Sequence, residues 1–130
     1  MDMDAALASW HAVASSRDHD AIYALLADDV VFESPVVHTP QRGRAISAKY
    51  LTGASYVLGG ESFAYIGEWR GPNSAILEFT SLVDGITING IDMITWNDAG
   101  RIVHFKVMVR PLKAMNKLHE KMGAVLSWLA

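Results

Sequence analysis

The sequence predicts an α+β fold in which a curved, mainly antiparallel sheet is backed by helices. Three observations indicate this class: helical spacing of apolar residues over much of residues 4–58, strand-like alternation over residues 62–110, and helical spacing again after Pro111. Strands joined by short turns pair antiparallel, and helices segregated to one side of such a sheet are typical of α+β architecture. We therefore expect a cone-shaped cavity on the concave face of the sheet.

The composition is that of a packed protein, and it excludes several classes of function. The chain has 130 residues, of which 51% are hydrophobic, so we assign residues 1–130 to one domain. A net charge of −3 has the wrong sign for a nucleic-acid partner, and the lack of cysteine excludes a disulfide framework and a thiolate metal site. Because the sequence shows neither a signal peptide nor a membrane-spanning stretch, we expect a cytoplasmic protein with no membrane partner.

Helix starts and strand ends are signalled in the first 60 residues. Asp18 suits the N-cap of a short helix, because its carboxylate can accept a hydrogen bond from a free backbone N–H of the first turn. The acidic pair Asp28-Asp29 is predicted to end that helix. Pro35 is predicted to stop the next strand, since proline has no N–H for a ladder hydrogen bond. The predicted elements are helices at 4–16, 18–27 and 43–58, a strand at 30–34 and a strand fragment within loop 36–42.

The second half of the chain is predicted to contain four strands and a final helix. Strands at 62–70 and 74–84 are followed by a hairpin over 86–110. The hairpin turns at Asn97–Gly100, whose glycine can adopt the left-handed backbone conformation. Pro111 fits the first turn of the final helix, which carries an apolar stripe. That helix has three possible roles: it packs on the sheet, caps the cavity, or joins a dimer contact.

One acidic residue stands on the apolar face of the strand at 86–96. Side chains alternate across a strand, so Asp92 shares a face with isoleucine, glycine and tryptophan. A carboxyl group in such surroundings must find a partner, change its protonation state or line a wet cavity. We predict that Asp92 is a functional acid; the alternative is a structural acid bonded by Trp10, a tyrosine or the backbone. On the next strand, the inward side chains are predicted to be Val103, Phe105, Val107 and Val109.

Four short segments occur in an order and at a spacing typical of a known superfamily. They are Ala27–Pro35 (ADDVVFESP), Gly43-Arg44 opening a helix, Ile91–Met93 (IDM) and Asn97–Ile102 (NDAGRI). Together they resemble the nuclear-transport-factor-2-like superfamily, and within it the SnoaL-like polyketide cyclases and ketosteroid isomerases, over about residues 4–110. The resemblance implies a cystatin-like α+β cone with an apolar pocket, and a homodimer formed through the outer face of the sheet.

Ketosteroid isomerases work with three pocket residues, and the resemblance assigns each of them to a position here. Their oxyanion-hole aspartic acid, which stays protonated and donates a hydrogen bond to the developing enolate, falls on Asp92. Their oxyanion-hole tyrosine falls on Trp10, whose indole N–H can still donate. Their general-base aspartate falls on Ser34. Because serine is not a carboxylate base, we do not expect steroid isomerisation by that mechanism.

Further site residues are predicted around Asp92. His38 lies on a loop expected to border the cavity mouth. Histidine is the residue type that can exchange a proton near neutral pH, so His38 could serve as the base while Asp92 acts as the acid, or the reverse. The alternative is a loop histidine bonded to the backbone. The histidines show no ligand spacing such as His-x-x-x-His, so we predict no metal and no cofactor. The predicted ligand contacts are Trp10, Ser34, Leu51, Phe105 and Val109.

These features predict a SnoaL-like protein that binds a small apolar molecule, either carbonyl-bearing or polycyclic. It would act as an isomerase- or cyclase-type acid–base enzyme through an enolate. Two alternatives stay open. One is a binding module that holds the same ligand without changing it, which the serine at position 34 favours. The other is a dimeric interaction domain that acts through the outer face of the sheet.

Overall fold

A computed structural model describes residues 1–129 and shows a curved six-stranded sheet with helices packed against it. The predicted fold class, including the C-terminal helix, is confirmed. The elements in chain order are α1 (Met3–Val13), α2 (His19–Leu25), β1 (Leu26–Glu33), β2 (Gln41–Arg42), α3 (Arg44–Leu58), β3 (Ala64–Arg70), β4 (Ser74–Val83), β5 (Ile86–Trp96), β6 (Ile102–Arg110) and α4 (Leu112–Trp128).

The sheet has the strand order β2-β1-β6-β5-β4-β3. The four strands from β3 to β6 pair antiparallel in sequence, as short connections require, while β1 pairs with β6 in parallel. This arrangement puts β5 near the middle of the sheet, between β4 and β6. No helix of the described residues is long and apolar enough to cross a membrane.

The first two helices begin at aspartate caps, one of which the sequence predicted. The side chain of Asp2 accepts a hydrogen bond from the N–H of Ala5, and that of Asp18 from the N–H of Ala21. Each bond satisfies a backbone donor that the helix itself leaves unpaired. These caps fix where α1 and α2 begin.

The start of β1 differs from the prediction. Helix α2 ends at Leu25 and the strand begins at Leu26, so the acidic pair Asp28-Asp29 lies inside the strand and not at a helix end. The cause is tertiary pairing: Leu26 is fully buried opposite Ile102 of β6, and the ladder then shifts register before Val31. The two exposed aspartates occupy that irregular stretch.

A second irregularity changes which side chains of β6 point inward. The pairing of β5 with β6 shifts between Thr95 and Trp96, so Ile102 stands opposite Trp96 and is fully buried. Val103, predicted to face inward, is only half-buried, because the extra residue of a β-bulge breaks the alternation. Beyond the bulge Phe105 is buried on the inner face, as predicted.

The inner face of β5 has the predicted composition. Its buried residues are Ile88, Gly90, Asp92, Ile94 and Trp96. The glycine is required by space, since a Cβ at this position would lie 2.5 Å from Cζ of Phe79 and 2.6 Å from the carbonyl oxygen of Met108. The Phe79 ring can therefore lie directly against the strand, one inward position from Asp92.

Candidate functional site

A small, mainly apolar cavity lies between the concave face of the sheet and the helices. Its volume is about 50 Å³. Aromatic and aliphatic side chains from α1, α3, α4 and the sheet make most of its walls. The polar side chains among its lining residues are Trp10, Ser34, Ser55, Tyr65 and Asp92.

The polar side of the cavity is a chain of three hydrogen-bonded side chains. The Tyr65 hydroxyl donates to Oδ2 of Asp92 at 2.5 Å, and Nε1 of Trp10 donates to the Tyr65 hydroxyl oxygen at 2.9 Å. The hydrogen bonds of the described residues engage only Oδ2 of Asp92, so its second oxygen is free to meet a ligand. Trp10 fixes the other end of this hydrogen-bonded chain. It is buried, and its ring packs edge-on against the ring of Phe105, with 4.9 Å between the ring centroids.

Burial controls the protonation of this chain. Loss of solvation raises the pKa of Asp92 to about 7, although the Tyr65 hydrogen bond pulls it in the opposite direction. The pKa of Tyr65 lies well above its ordinary value, first because the phenol is buried and then because the negative charge of Asp92 opposes a second anion. Near neutral pH, Asp92 is therefore present both as the acid and as the carboxylate, while Tyr65 remains a hydrogen-bond donor.

Three separate elements bring the polar groups together. Asp92 occupies an inward position of β5, and Trp10 occupies the buried side of α1. Tyr65 lies on β3, opposite Phe79 of β4, and points inward just before a register shift that ends at Gly67. The fold brings Tyr65 within hydrogen-bonding distance of Asp92, 27 residues further along the chain, and of Trp10, 55 residues before it.

The predicted site residues are only partly brought together. Trp10, Ser34, Leu51, Asp92 and Phe105 line the cavity, with Ser34 accepting a hydrogen bond from the backbone N–H of Val36 at 3.2 Å. Two other predicted residues lie outside its lining: His38 is exposed, and half-buried Val109 borders a shallow hollow at the end of β6. The roles proposed for these seven residues stay predictions.

The sequence did not show which tyrosine would be the hydrogen-bond partner of Asp92, and Tyr65 was not predicted as a site residue. It allowed for a tyrosine as the partner of Asp92, but the chain has four tyrosines and the alternation around Tyr65 is broken by the register shift. The available signal was the strand pattern of residues 62–70, in which a tyrosine on the inward side of an edge strand needs a hydrogen-bond partner.

The glutamates, aspartates and histidines of the described residues form no group of three able to hold a metal ion. Among residues 1–129, Asp92 supplies the only carboxyl group that lines the cavity. Proton transfer and hydrogen bonding are therefore the chemistry that the cavity's own side chains can supply.

This curved sheet with helices packed against it is the fold of nuclear-transport-factor-2-like proteins. Within that class the chain belongs to the SnoaL-like domain family, whose profile matches residues 7–105. No significantly similar sequence was found among functionally curated proteins.

Solved structures agree with this membership. A steroid delta-isomerase from Pseudomonas aeruginosa is 39% identical, with a TM-score of 0.88 over 95% of this chain and 90% of that one. An uncharacterized bacterial protein with a cystatin-like fold from Silicibacter pomeroyi is 33% identical, with a TM-score of 0.87 over 94% and 85% of the two chains. The epoxide hydrolase/cyclase-like enzyme SalBIII shares the fold at 17% identity, with a TM-score of 0.68 over 82% and 89%.

Replacing Tyr65 by phenylalanine tests the hydrogen-bonded chain. The Tyr65 hydrogen bond lowers the pKa of Asp92, so its removal is expected to raise that pKa above the value of about 7 in the wild type. NMR titration of the Asp92 carboxyl carbon measures the change. The matched control is Tyr56→Phe, which removes a hydroxyl from a partly exposed tyrosine of α3. An unchanged or lowered pKa in the Tyr65→Phe variant would contradict the assignment.

Proposed function

We propose that the protein binds a small, mostly apolar, carbonyl-bearing molecule in the cavity and that Asp92 moves a proton as an enolate forms. One observation carries the proposal: in the part of the chain that the structure describes, Asp92 has the sole carboxyl group that lines the cavity, and burial raises its pKa to about 7. General acid–base catalysis is most effective when the pKa lies near the working pH. Perturbed acids in clefts are also enriched at functional sites.

The proposed reaction uses both protonation states of Asp92. The carboxylate takes a proton from the carbon next to the carbonyl, and the electron pair of the broken C–H bond moves onto the carbonyl oxygen to give the enolate. Protonated Asp92 then returns the proton to the same carbon or to a conjugated one. Neutral Asp92 is a weaker acceptor than the carboxylate, so the Tyr65 hydroxyl can turn from Oδ2 of Asp92 to the enolate oxygen, where its hydrogen bond stabilises the developing charge.

Support for this class of reaction also comes from a relative. The Pseudomonas aeruginosa protein of 39% identity is a steroid delta-isomerase. Ketosteroid isomerases use an aspartate base to move a proton next to a carbonyl group. In this chain, Ser34 stands where the resemblance places the general base. We therefore propose that Asp92 carries the proton in both directions, whereas the sequence predicted His38 as the second catalytic group.

A second candidate function is binding without turnover. Ser34 favours it, because its hydroxyl accepts a backbone hydrogen bond and offers no carboxylate to a ligand. The same cavity would then hold an apolar ligand through shape and through a hydrogen bond to Asp92. A binding module predicts saturable ligand binding and no exchange of ligand protons.

The discriminating experiment is proton exchange in heavy water. Cyclohex-3-enone is incubated with the protein, and deuterium uptake next to the carbonyl is followed by NMR together with migration of the double bond. Turnover whose pH dependence follows a single ionisation near 7 supports Asp92 acting alone, whereas a bell-shaped profile supports two groups such as Asp92 and His38. If a panel of such ketones binds without any deuterium exchange, the enzyme proposal is wrong and the protein is a binding module.

We also propose that the chain forms a homodimer through the outer face of the sheet. This face carries exposed Trp69, packed over Gly67, and exposed Met108, which pairs with half-buried Ile91. Apolar side chains grouped on one side of a folded chain are typical of an interface.

The dimer is tested by Met108→Glu, which would bury a charge in the proposed interface. The wild type is expected to sediment at twice its 14.2 kDa chain mass and the variant as a monomer. Trp128→Glu, at an exposed residue of α4, is the matched control and should leave the dimer intact. A wild type that sediments as a monomer would overturn the proposed dimer.

A further inference from the structure

The cavity beside Asp92 is smaller than the ligands that the proposed function requires. Its volume is about 50 Å³. Small-molecule pockets usually measure about 300–1,000 Å³, and an apolar cavity of about 150 Å³ takes a single benzene ring. A molecule with even one ring can therefore enter only if part of the wall moves.

The wall supplied by α4 is held less rigidly than the wall supplied by the sheet. Strands β5 and β6 are hydrogen-bonded to neighbours on both sides, so their inner faces are held in place by the sheet. Helix α4 is attached through side chains, and its buried residues are Ala114, Leu118 and Met122. Leu118 and Met122 line the cavity, so α4 supplies part of the cavity wall.

The attachments of α4 are of a kind that can loosen. Near its middle, Lys121 and Lys117 reach Asp84 in the β4–β5 turn at 2.9 and 3.6 Å, and the aspartate side chain is half-exposed. Solvent screens such ion pairs. Towards its C-terminal end, α4 rests on α3 at Gly53, where an added Cβ would lie 3.2 Å from Cε of Met122 and 3.4 Å from Cδ2 of Leu126.

We propose that Leu118 and Met122 form an adjustable wall that determines the size of the ligand accepted beside Asp92. The proposal rests on the proposed function, namely that the cavity holds an apolar ligand. Methionine has an unbranched chain with several rotatable bonds and adapts to irregular spaces. Met122 therefore gives way first, and movement of α4 makes room for larger molecules. Both residues act as specificity-determining residues and take no part in proton transfer.

The test measures binding of three probes of increasing size: phenol, 2-naphthol and 2-hydroxyanthracene. Each carries one hydroxyl group that can hydrogen-bond to Asp92, as the enol of a substrate would. Dissociation constants are measured by isothermal titration calorimetry with the full chain. Since binding and not turnover is measured, the result does not depend on the protein's being an enzyme.

Two substitutions at one position move the wall in opposite directions. Met122→Ala removes most of the side chain and is expected to tighten binding of 2-hydroxyanthracene, relative to phenol, by about tenfold or more. Met122→Phe fills the space and is expected to weaken binding of 2-hydroxyanthracene relative to phenol. Met115→Ala is the matched control, because it makes the same chemical change at a half-buried methionine of the same helix that is outside the cavity lining.

The possible outcomes distinguish a failure of the adjustable-wall proposal from a failure of the proposed function. Opposite shifts in the two Met122 variants, with the control like the wild type, support the adjustable wall. The proposal is wrong if the wild type binds the probes and both variants keep its size ranking. Probes that bind to none of these proteins would overturn the proposed ligand site and the wall together. A thermal melt of each variant shows whether it is folded, and the two opposite substitutions ensure that destabilisation alone cannot imitate the expected pattern.

Discussion

Asp92→Asn is expected to abolish proton transfer while leaving the fold intact. Asparagine has the shape of aspartic acid, and its side-chain oxygen can still accept the hydrogen bond from Tyr65. It can neither take up a proton from a C–H bond nor return one. General acid–base catalysis contributes about 10²–10⁴-fold to a rate, so a loss of at least about 10²-fold in kcat/KM is expected.

The measurement is deuterium exchange of the ketone at pH 7 with the wild type and the variant. Asp98→Asn is the matched control, since it makes the same chemical change at an exposed aspartate in the β5–β6 turn. His38→Gln belongs in the same series, because a loss comparable to that of Asp92→Asn would identify His38 as the second group. If the Asp92→Asn variant exchanges as fast as the wild type, Asp92 is not the proton carrier.

The same residue is expected to make the stability of the protein fall as the pH rises from about 4 to about 7. The folded-state pKa of Asp92 is about 7, whereas an unfolded aspartate titrates near 3.9. Between these values, the folded state holds a proton that the unfolded state has released, so raising the pH favours unfolding. The stabilising contribution of the neutral acid is complete below the unfolded pKa, and above the folded pKa it has been lost. The full difference is roughly 4 kcal/mol.

The stability prediction is measured by urea unfolding of the wild type and the Asp92→Asn variant at pH 4, 6 and 8. Subtracting one curve from the other cancels the contributions of all other titrating groups, including Glu33 and Asp84, whose pKa values are lowered by their partners. The free-energy difference in favour of the variant should grow by roughly 4 kcal/mol across this range. A difference that stays constant with pH would mean that Asp92 is not held in an apolar site.

The two expectations together describe a residue that costs stability at the pH where it is useful. An asparagine would be the more stable choice above neutral pH, because it removes the burial of a charge. Retaining an ionisable group there is typical of sites in which stability is exchanged for function. The same raised pKa of Asp92 therefore underlies both the proposed proton transfer and the expected pH dependence of unfolding.

Much of the fold follows from local patterns that are visible in the sequence. The alternation of β5 put Asp92 on the inner face before any contact was known, because side chains one residue apart on a strand point to opposite faces. Helix caps and turn glycines can also be recognised from the sequence, because each affects the backbone of only the next few residues. By contrast, the start of β1 at Leu26 and the inward turn of Ile102 arise from strand pairing, which overrode the local signals at Asp28-Asp29 and Val103.

The candidate site divides in the same way. That a buried acid would need a partner was evident from its neighbours along the strand, since the cost of burying a carboxyl group is independent of the fold around it. That the partner is Tyr65, that Trp10 completes the chain, and that α4 narrows the cavity through Met122 were decided by the packed chain. Contacts across 27 or 55 residues depend on register shifts and helix placement, which no short stretch of sequence encodes.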